Sequence, residues 1–198
     1  MARCIVSFLP SATEMVYALG LEDQLFGVTH ECDYPPAARE KLVVVSNVLP
    51  IEEMSQCEID AAVSARLRNG LSLYQVDEAR MRDIRPDLIL TQELCQVCAP
   101  SGNEVAQLLA SLSPKPEVLW LTPLSLGQIF GNLRQIAGAT GTLAKAEELI
   151  AASQARLNGT FMGTRDHVEL LRSVGSLSEC NSYPLKTPEV PLSRLMLC

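Results

Sequence analysis

The feature that most constrains this chain is a helix-start signature that recurs four times, mostly just after short aliphatic runs. Ser11-x-x-Glu14, Ser55-x-x-Glu58, Ser101-x-x-Glu104 and Ser125-x-x-Gln128 all fit the capping box. In that motif the hydroxyl accepts from a first-turn N–H, while the acid or amide reaches back to the cap N–H. Apolar stripes at helical spacing follow each start: Ala12, Met15, Val16 and Leu19; Ile59, Ala62, Val63 and Leu67; Val105, Leu108, Leu109 and Leu112; Leu126, Ile129, Phe130, Leu133 and Ala137. Spacings of three and four put each set on one helix face.

The intervening runs predict strands at residues 4–9, 25–29, 42–46, 87–91 and 118–121. They show little alternation of apolar and polar residues, as strands buried on both faces do. Strand, turn and capped helix in series give right-handed crossovers and a largely parallel sheet. The expected fold is therefore an α/β, Rossmann-like lobe with flanking helices. In such sheets ligands bind beyond the carboxyl ends of the strands. The loops at residues 10–11, 30–36, 92–102 and 122–125 should share that edge.

A longer helix is expected over 143–157, where Leu143, Ala146, Ile150 and Leu157 form a stripe. Glu147 and Glu148 lie early and Arg156 late, which suits the helix dipole. The pattern changes near Gly159. Residues 166–172 offer two helical turns, and a Ser- and Pro-rich tail follows, expected to be loosely ordered.

Composition narrows the function classes. Net charge is −7 over 198 residues, which argues against a nucleic-acid partner. The short Arg80–Arg85 stretch also carries Asp83 and reads as a solvated helix face. No run is long and apolar enough to span a bilayer. No export signal is recognised at the start, so the expected compartment is cytoplasmic. Seven cysteines without such a signal leave metal binding, redox chemistry or burial as their roles.

Catalytic motifs are missing: there is no Walker loop, dinucleotide fingerprint or nucleophile elbow. A binding protein is expected rather than an enzyme. Two edge segments stand out, residues 29–36 (THECDYPP) and 92–98 (QELCQVC). His30, Cys32, Cys95 and Cys98 make a Cys3His set whose C-x-x-C suits zinc, iron or another thiophilic metal. The same cysteines could instead be a redox pair, or simply line a cleft. Tyr34, stiffened by Pro35 and Pro36, could stack on a flat ligand or pack its loop onto the core. Asp33 and Glu93 could orient a polar ligand or be merely solvated. Trp120, Tyr17 and Tyr74 read as packing residues.

The segments RCIVSFLPSATEM (3–15), FGVTHECDYPPAA (26–38), PDLILTQELCQVC (86–98) and 117–157 resemble the substrate-binding proteins of cobalamin and siderophore ABC transporters. Within these they are most similar to the cobalamin-binding group. The resemblance covers roughly residues 3–158. It implies two α/β lobes joined by a long helix, with a ligand held between them. On it, residues 1–142 are the first lobe, 143–158 begin the bridging helix and 159–198 are a divergent tail. The second lobe has no counterpart, so a truncated member is expected. Carried over by position, Ser11, Thr13, Asp33, Tyr34, Gln92 and Glu93 should face the cleft, with cobalamin or a related corrinoid as ligand and an ABC permease as possible partner. The chain departs from the family pattern in a long stretch at 52–83 and in cysteines where the Gln92 loop could carry aromatics.

Overall fold

The structure, a computed structural model, describes residues 3–92, 100 and 102–173. The strands are β1 (Ile5–Ser7), β2 (Leu25–Thr29), β3 (Leu42–Asn47), β4 (Tyr74–Val76), β5 (Leu88–Thr91) and β6 (Glu117–Trp120). They form one sheet in the order β4-β3-β2-β1-β5-β6. Neighbouring strands run parallel except β3 and β4. The chain steps outward from β1 to β4, returns to β5 beside β1, then adds β6. This reversal makes a topological switch point between β1 and β5.

The helices are α1 (Pro10–Ala18), α2 (Gln56–Arg68), α3 (Glu78–Ile84), α4 (Gly102–Ser111), α5 (Leu126–Thr140) and α6 (Leu143–Ser173). They cover both faces of the sheet. Ile5, Leu88 and Leu90 share one buried cluster with Val16 of α1, Ile136 of α5 and Ile150 of α6. Val6 and Ile89, one residue out of phase, join Met81 of α3 and Leu108 of α4 on the other face. This is the period-two alternation of strands packed on both sides. The α/β expectation with flanking helices holds.

The five expected strands are all present, with ends shifted by up to two residues. The structure adds β4, an antiparallel edge strand that the sequence reading leaves out. Two capping expectations are met in different degrees. Ser55 accepts from the Glu58 N–H, and Glu58 Oε2 accepts from the Ser55 N–H at 2.8 Å, a complete box. Ser125 caps α5, but the Gln128 side chain accepts from Leu124 instead. Ser11 corrects the pattern: α1 already starts at Pro10, its cap residue is Leu9, and no side chain caps it. Proline suits that first position because its missing N–H would be unpaired there anyway. Ser101 lies outside the described residues.

Helix α5 ends at Gly141, whose φ of 75° is the left-handed conformation that terminates helices at little cost in glycine. The chain divides into two compact units, Met1–Ile150 and Ala151–Cys198. Helix α6 runs to Ser173, beyond the stripe that predicts it.

Candidate functional site

Parallel pairing sends the loops after β1, β2, β3, β5 and β6 to one edge. The loop after β2 is the best-defined feature there. The Cys32 N–H donates to the Thr29 carbonyl at 3.0 Å, which turns the chain directly after the strand. Cys32 is 3% exposed and belongs to the core cluster; Ala38 is 0% exposed. These two anchors pin the ends of a short span, and Tyr34 between them is 63% exposed. A short 3-10 turn, Pro36–Glu40, closes the span. Arg39 braces it from outside, donating from Nε to the Asp33 carbonyl at 3.2 Å and pairing with its carboxylate at 3.7 Å. That pair is solvent-exposed and contributes little to stability. It does fix the Asp33 backbone beside the tyrosine.

Thr13 and Cys32 meet beneath this loop. The Thr13 hydroxyl lies 3.1 Å from Cys32 Sγ, and both residues are buried. The structure thus places Thr13 in the core as a support for the loop, while Ser11, two residues earlier and on the opposite face of α1, stays exposed. Burial pushes the Cys32 thiol above its ordinary range, and the Glu31 and Asp33 charges add to this. Hydrogen bonds from Thr13 and the Thr29 backbone oppose the shift. His30 points to other partners: its Nδ1 is 3.2 Å from Thr29 Oγ1, and its ring is tilted against Tyr74 at 6.4 Å. His30 is exposed.

His30 and Cys32 are therefore held by different neighbours. No group of three or more His, Cys, Asp or Glu side chains able to hold a metal is found among the described residues. Cys95 and Cys98 of the Cys3His set, and Glu93, lie outside those residues. Gln92 stands at the end of β5, half-buried. Beyond it the Thr91 hydroxyl donates to the Pro100 carbonyl at 3.3 Å, tying the far end of that loop to the strand.

Sequence reasoning missed a cavity of about 260 Å³ on the same edge, between His30, the end of β3 and a 3-10 turn at Ile51–Glu53. Its signal in the sequence is the start of the long stretch 52–83, which carries Glu52 and Glu53.

Alkali should weaken this lobe. Burial is the first cause that raises the thiols of Cys4 and Cys32 and the phenol of Tyr17, whose buried hydroxyl has no partner among the described residues. A group with a raised folded pKa contributes stability that is fully present below its unfolded value. That contribution is lost as pH rises through the folded value. Above about pH 8.5, the ordinary thiol range, the unfolded chain releases protons that the folded chain retains. The urea midpoint should be level near neutrality and fall toward pH 10. A midpoint that rises over this interval would refute the assignment.

No family model matches the chain. It is 31% identical over 134 residues to the vitamin B12-binding protein of Photorhabdus laumondii, a match that takes in 66% of this chain and 46% of that protein. It is 29% identical over 133 residues to the vitamin B12-binding protein of Vibrio vulnificus, covering 67% of this chain and 37% of that one. The chain spans less than half the length of these relatives. Among solved structures, the periplasmic vitamin B12 binding protein of Vibrio cholerae superposes with a TM-score of 0.55 at 22% identity, over 78% of this chain and 48% of that one. A periplasmic heme binding protein from Pseudomonas aeruginosa gives 0.58 at 19% identity, over 85% and 50%.

The mostly parallel sheet with helices on both faces has the fold of one lobe of these periplasmic binding proteins. The chain is similar in sequence to vitamin B12-binding proteins and shares the fold of about half of each periplasmic binding protein it superposes on, an extent that fits one lobe. Among the described residues no helix is long and apolar enough to cross a membrane.

Proposed function

We propose that this chain binds cobalamin or a close corrinoid relative, without chemical change, at the edge built by the Tyr34 loop. The observation that carries the reading is the exposed Tyr34 ring, held out between two buried anchors at the carboxyl ends of the strands. An aromatic face fixed in this way offers stacking area to a flat macrocycle at little entropic cost, because its loop is already ordered. Ser11, Asp33 and Gln92 supply polar contacts around it, and Glu93 of the following loop is assigned to the same edge. The curated relatives named for vitamin B12 support the choice of ligand. In this reading residues 1–142 act as the binding lobe, 143–158 open the bridging helix, and an ABC permease is the partner.

The test is a calorimetric titration of the purified chain with cyanocobalamin. Saturable one-site binding is expected. Tyr34→Ala should weaken it about tenfold, the equivalent of one lost aromatic contact, and Tyr34→Phe should leave it nearly unchanged. A folded chain that takes up no corrinoid would overturn the reading.

A further inference from the structure

The cavity beside His30 has its own chemistry, distinct from the stacking face of Tyr34. His30 directly follows β2, and Ser46 and Asn47 close β3, so the cavity opens on the same ligand edge. Leu49, Pro50 and Ile51 give it an apolar wall. Asn47 Oδ1 accepts from the Leu49 N–H at 2.9 Å, which fixes the amide group. Its Nδ2 donors have no partner among the described residues. Glu52 and Glu53 line the same space and are exposed, with no ion pair among the described residues. The site thus combines a held amide donor, two carboxylate acceptors and a hydrocarbon surface.

That combination is complementary to a primary carboxamide on a short aliphatic stem. The carboxamide oxygen can accept from Asn47, its NH2 can donate to a glutamate, and the stem can lie on the apolar wall. A carboxylate in the same place has no N–H to offer and is repelled by both glutamates. Drug-sized ligands fill pockets of about 300–1,000 Å³, so about 260 Å³ suits one side arm rather than a ring. Corrins carry carboxamide arms around the macrocycle, whereas heme carries two carboxylate arms.

We propose that the His30–Glu53 cavity receives a carboxamide arm of the corrinoid and discriminates against ligands whose arm ends in a carboxylate. This rests on the corrinoid reading of the Tyr34 edge, and it assigns Asn47, Glu52 and Glu53 as specificity residues. Rejection arises from the repulsive element as much as from the attractive one.

The test compares cyanocobalamin with the monocarboxylic acids of its three longer, primary propionamide arms, each differing by one hydrolysed amide. One of the three should bind about tenfold more weakly than cyanocobalamin, as expected for one like-charge contact near the surface. The gap should narrow in high salt. It should shrink to about threefold or less in Glu52→Gln/Glu53→Gln, which keeps shape and hydrogen bonding while removing the charge. Equal affinity for cyanocobalamin and all three acids would overturn this inference and leave the corrinoid reading standing. Failure of the wild-type chain to bind cyanocobalamin itself would overturn both.

Discussion

Replacing Phe8 by alanine should destabilise the lobe by about 3–5 kcal/mol. Phe8 follows β1, and its N–H donates to the Leu90 carbonyl at 2.9 Å, which extends the β1–β5 ladder to the switch point. Its ring is 1% exposed and packs with Val6, Val44, Met81, Ile89 and Leu108. These residues come from three strands and two helices. They cannot all move inward at once, so the void would stay largely open in a close-packed interior. Stabilities of whole domains are only about 5–15 kcal/mol, so the loss takes away a large share. Phe26 is the control, because its ring, on β2, is half exposed. Phe26→Ala should stay within about 1 kcal/mol of wild type. Urea denaturation of both variants checks the contrast. A Phe8→Ala cost near that of Phe26→Ala would mean that the α3–α4 face of the sheet is loosely packed. The variant also bears on the site, since α1 starts two residues later and carries Ser11 and Thr13.

The central sheet was legible because its strands are buried on both faces. Runs such as residues 87–91 announce themselves by hydrophobicity alone. Strand β4 was not, because Tyr74-Gln75-Val76 is three residues long and pairs at an edge, where one neighbour and half a burial suffice. Its antiparallel direction depends on the connection 48–73, where the capped helix α2 is marked by its stripe but nothing marks how the chain returns to the sheet. Helix α3 was legible only as the solvated face at Arg80–Arg85: seven residues with only Met81 buried give no stripe, although Asp77 caps it by accepting from the Arg80 N–H at 3.0 Å. The Ser11 box misled because it shares its first turn with Pro10, and proline at the first helical position outranks a serine one residue later. In the site, the exposure of Tyr34 could be read from its two prolines. The inward turn of Cys32 could not. A cysteine between a histidine and an aspartate is chemically at home as a ligand or as a small hydrophobe. What decides between them is Thr13, nineteen positions away. The His30 cavity depends on two separated segments, His30 after β2 and residues 46–53 at the end of β3, meeting at one edge, which is a property of topology rather than of any motif.

The state of Cys32 gives the second large effect. Cys57 stands exposed near the start of α2, whereas Cys32 is buried against Thr13. Alkylation needs both access and thiolate, and Cys32 lacks the first and is short of the second, because burial raises its pKa. If the loop must open locally at a cost of about 3–4 kcal/mol, Cys32 should react several-hundredfold more slowly than Cys57. Peptide mapping after timed exposure to iodoacetamide at pH 7.5 reads both sites in one sample, and denaturant should equalise them. Thr13→Val should quicken Cys32 by loosening the loop, with little effect on Cys57. The same measurement weighs the zinc or iron reading of His30, Cys32, Cys95 and Cys98. A metal-bound thiolate is also slow to alkylate, but a chelator releases it, while a thiol protected by packing ignores the chelator. Slow reaction that persists in a chelator would make Cys32 the anchor that holds Tyr34 at the ligand edge. Chelator-accelerated reaction would show that the loop after β2 is organised around a metal, with Tyr34 exposed as its consequence.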